Sequence, residues 1–495
     1  MALSHSFVLL FSLSLMVYML VMYAIGYLAQ RRVRNVDDYV LAGRRLPVSL
    51  TTITIIATWF GAESLMTTAD EVAQQGWRRA LLDPVGISMC LVITGLFIAA
   101  PMWRMNLLTI PDFFRQRYGP LAEILSSIVL VPSYFGWIAA QYVALATILS
   151  QIYGLTIPQW ILIVALGGTG YALMGGMWSI TWTDTVQLGL IVVGLIVLGY
   201  EILQTLGDGS TSAGLASLRN DSPEGHWRLT DRATFSSDIL AAVSALAIGA
   251  LGNLPVQDLM QRVFSARSPR VASLACILGA AGYLAMGLLP IGTGLAASLL
   301  LSEVPEEGVL SAVAFKLLSP ALLILFLLAI VSAVLSTIVS AVMAPAAVLA
   351  HNLIEPAIAA RRGELKPRES LRLQRACVVM VAAASIALAL SGQGAYELVQ
   401  ASYAMSLVGM FVPFVVGIYA KSPPPLAANL SLIVGIASWF GHLVMGWEFF
   451  MQPYTARNLA VPHELVDTLL SAAVFGLCWL ISCLTTTAIL TRRAS

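Results

Sequence analysis

The sequence has 495 residues, of which 58% are hydrophobic and 11% charged, with a formal net charge of +1. So few charged groups cannot coat a soluble domain of this length, and the balanced charge gives no basic field for nucleic acid, which leaves a polytopic membrane protein. Thirteen apolar segments, at about 7–29, 48–72, 82–103, 121–153, 158–175, 178–205, 236–260, 271–300, 320–353, 374–392, 396–420, 424–446 and 465–490, lie near or above the ~20 residues that a spanning helix needs.

The first segment follows Met-Ala-Leu-Ser-His-Ser, which has no basic residue, and no small-residue cleavage pattern comes after it. It is expected to stay as a helix. Placing the N-terminus outside puts the basic turn at Arg31, Arg32, Arg34, Arg44 and Arg45 on the cytoplasmic side. Arg262 and fourteen others fall there too, making twenty of the 27 lysines and arginines against seven opposite. That asymmetry predicts N-out, C-in topology and an odd number of helices.

The second segment holds Thr58, Gly61, Glu63 and Ser64 near the middle of an otherwise apolar run. Its helix is expected to break at mid-depth. The freed backbone carbonyls must then line a cavity or coordinate something, here a sodium ion beside a small solute. Further on, 106–118, with Pro111, Asp112, Phe113 and Phe114, reads as a short interfacial helix. The fourth span is interrupted by Pro132, Ser133, Tyr134, Gly136, Trp137, Gln141 and Tyr142. Tyr134, Trp137 and Gln141 share one helical face, which meets either a cavity or the aromatic packing of neighbouring helices.

Between the fifth and sixth spans, Gly175 and Gly176 suit a tight turn, after which Thr183, Asp184 and Gln187 enter the membrane. Asp184 is either a functional ionisable group or a helix cap at the interface. Residues 207–235 read as the longest polar loop and divide two halves of similar layout. The seventh span is again interrupted, at Gly249, Gly252, Asn253 and Pro255, and then carries Gln257 and Asp258. A break in the first helix of each half predicts an inverted repeat of 48–206 against 236–420, with 1–47 and 421–495 peripheral and 1–495 a single transporter domain. In the ninth span Ala333, Ser336, Thr337 and Ser340 make one small, hydroxyl-bearing stripe. Such a stripe either permits close packing or offers oxygens to a hard cation. Cys90, Cys276, Cys377, Cys478 and Cys483 lack metal-ligand spacing and read as packing residues.

Together these features resemble the sodium/solute symporter family over about residues 30–450. The strongest match is Gly175-Gly176-Met177-Trp178-Ser179-Ile180-Thr181-Trp182-Thr183-Asp184-Thr185-Val186-Gln187, similar to the family signature of two glycines followed by Thr-Asp-x-x-Gln. The resemblance implies an all-α polytopic membrane protein with 13 transmembrane helices, a five-plus-five inverted-repeat (LeuT-type) core and N-out, C-in topology. It also implies a sodium site made by the carbonyls of Ala57, Phe60 and Ala333 and the hydroxyls of Ser336 and Thr337. A second cation, bound in some members, would fall at Asp184 and Ser340, where the adjacent Val339 offers no side-chain oxygen. The stretches 57–61 and 95–102 look most like the high-affinity choline transporter branch, which surrounds a quaternary ammonium with tryptophans. Trp59 and Trp137 match two cage positions, and the third falls at Val256. Glu63 and Asp258 stand where that branch has uncharged residues and would pair with an amine or hydrogen-bond a polyol or amide. The solute residues expected are Trp59, Glu63, Ser64, Tyr134, Trp137, Gln141, Gln257 and Asp258.

The function expected is symport of Na+ with a small polar organic solute, an amine or quaternary ammonium compound among them, by alternating access across a plasma membrane of the bacterial inner-membrane type. No enzymatic activity and no nucleic-acid partner are expected, and the chain is read as a monomer or weak oligomer in the lipid bilayer. Proton coupling through Glu63, Asp258 or Asp184 is an alternative. A solute sensor is another, although only Thr491 to Ser495 follow the last span and no output domain is expected. His5, His226, His351, His442 and His463 are scattered in the sequence, with no nucleophile and base at recognisable spacing.

Overall fold

The computed structural model describes residues 4–228, 235–392, 395–447, 450 and 462–494. Arg232 and Arg457 of the charge count lie outside them. Helix α1 (His5–Ala29) presents Leu9, Leu10, Leu13, Met16 and Leu20 outward, the surface of a span that faces lipid. Helix α2 (Val48–Trp59) stops at Phe60, where φ −82° and ψ 70° leave the helical region. The chain resumes through a π-helical turn, Glu63–Thr67, into α3 (Thr68–Gln75), and the two halves meet at 67°. A Cβ at Gly61 would lie 2.6 Å from both Gln141 Oε1 and Thr337 Oγ1, so the neighbouring helices close directly on the break. Ala62 N, one of the donors orphaned at the restart, donates to Gln141 Oε1 at 2.8 Å.

After α4 (Trp77–Arg104) comes α5 (Ile110–Tyr118), which opens with a Thr109–Asp112 capping box. Phe113 and Phe114 are fully buried, and Phe113 packs edge-on to Phe414 at 5.2 Å. The short helix read from the sequence is therefore present, with its aromatic face against the bundle and Arg115 and Gln116 exposed. Helix α6 (Pro120–Tyr153) carries the aromatic face. Next, α7 (Ile157–Leu206) is two helices folded into a hairpin at Gly176, whose φ 54°, ψ −143° leave the helical region. Gln187 Nε2 lies 3.4 Å from Tyr171 Oη, two positions that a straight helix would separate by ~24 Å.

Helix α8 (Thr211–Asp221) occupies the middle of the stretch that reads as a loop. Ser210 caps its start, and Gly214 lies against the Leu203 carbonyl, so small polar residues here serve packing and capping. The second broken span consists of α9 (Phe235–Leu251) and α10 (Gln257–Ser265), joined through an extended Val256. Then follow α11 (Pro269–Leu300), α12 (Val309–Leu317), α13 (Pro320–Val348), α14 (Pro367–Ala389), α15 (Ala395–Tyr419), α16 (Pro425–Met445) and α17 (His463–Ala494).

The core is organised on α13, in which every residue from Ala329 to Val348 is buried. It packs against α7, α6 and α2, and its small residues permit that approach, with Ala329 seated on Gly194. Among the described residues nine helices are long and apolar enough to cross a membrane, or ten when the halves of the first broken span count as one. The chain is an all-helical membrane protein.

Candidate ion and solute site

The break after α2 faces the hydroxyl stripe of α13. Ser336 Oγ lies 2.9 Å from the Ala57 carbonyl and 2.8 Å from the Ala333 carbonyl, bridging the two helices. Thr337 Oγ1 is buried with no hydrogen-bond partner, an omission that costs about 1–3 kcal/mol unless something occupies it. Phe60, the next position expected in the ion site, forms the end of α2. Several oxygens with little net charge at a helix break suit a hard monovalent cation.

One turn away the hydroxyls run in sequence. Asp184 Oδ2 accepts from Thr54 Oγ1 at 2.5 Å, Thr58 Oγ1 donates to the Thr54 carbonyl at 2.6 Å, and Ser340 Oγ lies 3.3 Å from Thr58 Oγ1. Asp184 Oδ1 has no partner. Asp184 and Ser340 are thus linked through two threonines. Close by is Arg262, which the sequence places among cytoplasmic loop cations. Its side chain is instead fully buried, bonded through Nη1 to the Asp258 carbonyl at 3.1 Å and within Coulomb range of the Asp258 and Asp184 carboxylates. A basic residue just after a helix break looks like a membrane flank; only the fold shows that α10 carries it inward.

The two broken spans, α6 and α15 line a small cavity through Trp59, Ser133, Tyr134, Trp137, Asn253, Val256, Asp258 and Ser406. Four of the expected solute residues therefore meet there. Asp258 accepts from Trp59 Nε1 on one carboxylate oxygen and from Tyr134 Oη on the other. Glu63 is held in the same way, Oε1 accepting from Trp137 Nε1 at 2.8 Å and Oε2 from Gln141 Nε2 at 2.5 Å. Both indole N–H groups are thus tied to carboxylates at the edges of their rings. The cavity is about 20 Å³, room for a water-sized guest, so an organic solute enters only if these walls part.

The remaining expected residues lie elsewhere. Glu63 and Gln141 sit one layer behind Trp137. Ser64 joins a separate buried network in which its Oγ donates to Asp83 Oδ2 at 2.8 Å and meets Tyr283 Oη, which also lies 3.1 Å from the Trp59 carbonyl. Gln257 turns away from the cavity and accepts from Ile110 N at 2.7 Å, tying α10 to α5. Asp83 and Tyr283 went unread in the sequence, though a carboxylate at the edge of an apolar segment, as in Leu82-Asp83-Pro84, was a visible signal. Ser406, in an unremarkable part of α15, gave none.

The sodium:solute symporter family profile matches residues 39–435. The chain belongs to the sodium:solute symporter family. Among the relatives of this symporter-family member, the high affinity choline transporter 1 of Homo sapiens is 26% identical over 452 residues, covering 86% of this chain and 75% of that protein. The sodium/proline symporter of Escherichia coli (strain K12) is 26% identical over 390 residues, 75% of each chain. The fold is shared with a Na+-coupled sialic acid symporter solved in a substrate-bound outward-open state, with TM-score 0.78, 17% identity and coverage of 95% of this chain and 98% of that one. A second structure, MHP1, a nucleobase-cation-symport-1 family transporter in a closed conformation, aligns at TM-score 0.55 and 14% identity over 88% and 93% of the two chains. The family consists of transporters, and this member is an integral membrane protein of that class, with sodium as the co-transported ion of the family.

Proposed function

We propose that the protein is a sodium-coupled symporter for an organic cation of the quaternary ammonium type, working by alternating access in a plasma membrane of the bacterial inner-membrane kind. The observation that carries the cation is the pairing of both cavity tryptophans with buried carboxylates. Glu63 and Asp258 each accept at both oxygens from protein donors, as ionised carboxylates do. These donors take about half of the acceptor capacity and hold each carboxylate against an indole. What the carboxylates supply is negative charge at the N–H edges of the two indoles, and this strengthens the attraction of the rings for a cation that cannot donate hydrogen bonds. The choline-transporting relatives support the same class.

Sodium would be held by Ala57, Phe60, Ala333, Ser336 and Thr337, clamping the broken α2 to α13. A clamp at the break also fixes Trp59, which gives coupling its route: the ion favours the solute-competent arrangement, and the solute favours ion binding by the same factor. Arg262 gives the Asp184 region a resident positive charge, so one sodium per solute is the stoichiometry proposed. Thirteen spans with N-out topology and a five-plus-five core complete the reading.

Tryptophan fluorescence of the purified protein, titrated with choline and with primary amines in sodium and in potassium, tests the substrate class. A saturable change with choline in sodium alone is expected. A response to primary amines and none to choline would overturn it. Proton coupling remains as a second reading at Asp184 alone, the carboxylate with a free oxygen; it requires binding that follows pH in sodium-free buffer.

A further inference from the structure

On two helices that contribute no residue to the ion and solute site, α16 and α17, three chemistry-bearing side chains converge. His442 is on the last turn of α16, His463 opens α17, and Asp467 follows one turn later. Their side-chain exposures are 8%, 11% and 0%. Asp467 Oδ2 lies 3.1 Å from His463 Nδ1 and 3.4 Å from His442 Nδ1, and the two imidazoles stack at 4.9 Å with 14° between their planes. A tetrahedral Zn2+ with bonds of ~2.0–2.1 Å separates its ligand atoms by about 3.3 Å. Both nitrogen–oxygen separations already match that edge. One ligand atom from each of the three residues lies within 4.8 Å of the others, and among the described residues no other such group of three occurs.

The surroundings are those of a supported site. Ser438 Oγ donates to the other oxygen of Asp467, which fixes the carboxylate and leaves Oδ2 to the imidazoles. Glu464 Oε1 lies 3.7 Å from His463 Nε2, on the side where a metal-bound imidazole presents its remaining N–H. His442 Nδ1 also lies 2.9 Å from the Ser438 carbonyl. Binding metal there requires that contact to be given up and the ring proton to sit on Nε2. Trp447 flanks His442 at 5.8 Å on one side of the cluster.

We propose that His442, His463 and Asp467 form a divalent transition-metal site of the His₂–carboxylate type, taking Zn2+ with a fourth ligand from solvent and clipping α16 to α17. Two imidazoles with one carboxylate favour Zn2+ over the hard cations Na+, Mg2+ and Ca2+. The site is independent of the transport cation, and its test does not depend on transport.

Metal-stripped full-length protein in detergent is titrated with Co2+, whose visible d–d bands report low-coordinate nitrogen and oxygen ligation, and then with Zn2+. We expect a saturable band at one Co2+ per chain that Zn2+ removes. The band should be lost in H442Q and D467N, and Zn2+ affinity should fall about tenfold in S438A, which leaves the ligands in place. No saturable band in the unaltered protein would overturn the assignment, as would an unchanged band in H442Q and D467N. The cluster would then be a hydrogen-bonded carboxylate between two histidines.

Discussion

Glu63 is buried at 4% exposure with both oxygens engaged, and its proposed work is electrostatic. Glu63→Gln keeps the size and can still accept from Trp137, so it removes charge with little change of shape. Choline binding, read by tryptophan fluorescence, should weaken on the order of tenfold, the scale of one desolvated cation–π contact, and unchanged affinity would show the charge to be irrelevant. At this scale the sequence was partly legible. Helical spacing put Tyr134, Trp137 and Gln141 on one face, and the interrupted spans pointed to Trp59 and Asp258. It could not distribute them, because periodicity tells which way a helix faces but not which neighbour it meets. Hence Ser64 went to Asp83 and Tyr283, Gln257 went to α5, and Arg262 looked like a loop cation. Nor could it show that His442 and His463, 21 positions apart, would stack.

Among the elements, the hairpin in α7 hangs on one residue. A side chain at Gly176 would meet strain at φ 54° and bring its Cβ to 2.2 Å from the Tyr39 carbonyl. Gly176→Ala should sharply reduce the yield of monodisperse protein. Gly292→Ala, on α11 with open space around it, should leave that yield unchanged, and equal behaviour of the two would refute the hairpin argument. Helix α5 makes a different prediction. Burial alone would raise the pKa of Asp112, but hydrogen bonds from His351, Asn352 and Thr109 outweigh it and hold the carboxyl below its ordinary range. A depressed folded pKa means stability that is fully present above the unfolded value of about 4 and is lost as pH falls through the folded one. Melting temperature should therefore drop below about pH 4, and less steeply in Asp112→Asn; parallel curves would contradict this. The glycine pair and the two broken spans were readable because they violate what a plain spanning helix allows. Helix α8 was read as a loop because small polar composition does not say whether water or protein covers it.

For the whole molecule, the proposed topology places Ser212 outside and Ser422 inside. With the native cysteines replaced, an impermeant maleimide should label Ser212→Cys on intact cells and Ser422→Cys only after permeabilisation, and the reverse pattern would invert the topology. Composition alone established a membrane protein, and the Gly175–Gln187 signature, together with the break and the hydroxyl stripe, pointed to the family. The central claim joins these scales: an ion held between α2 and α13 controls a cavity walled by tryptophans. Its most direct test is choline uptake into proteoliposomes under an inward sodium gradient, compared with potassium and with the Ser336→Ala/Thr337→Ala double variant. The account predicts uptake that needs sodium and falls at least tenfold in the variant, since each substitution removes an oxygen from the ion's neutral ligand set. Uptake that proceeds equally well in potassium, or in the variant, would contradict it.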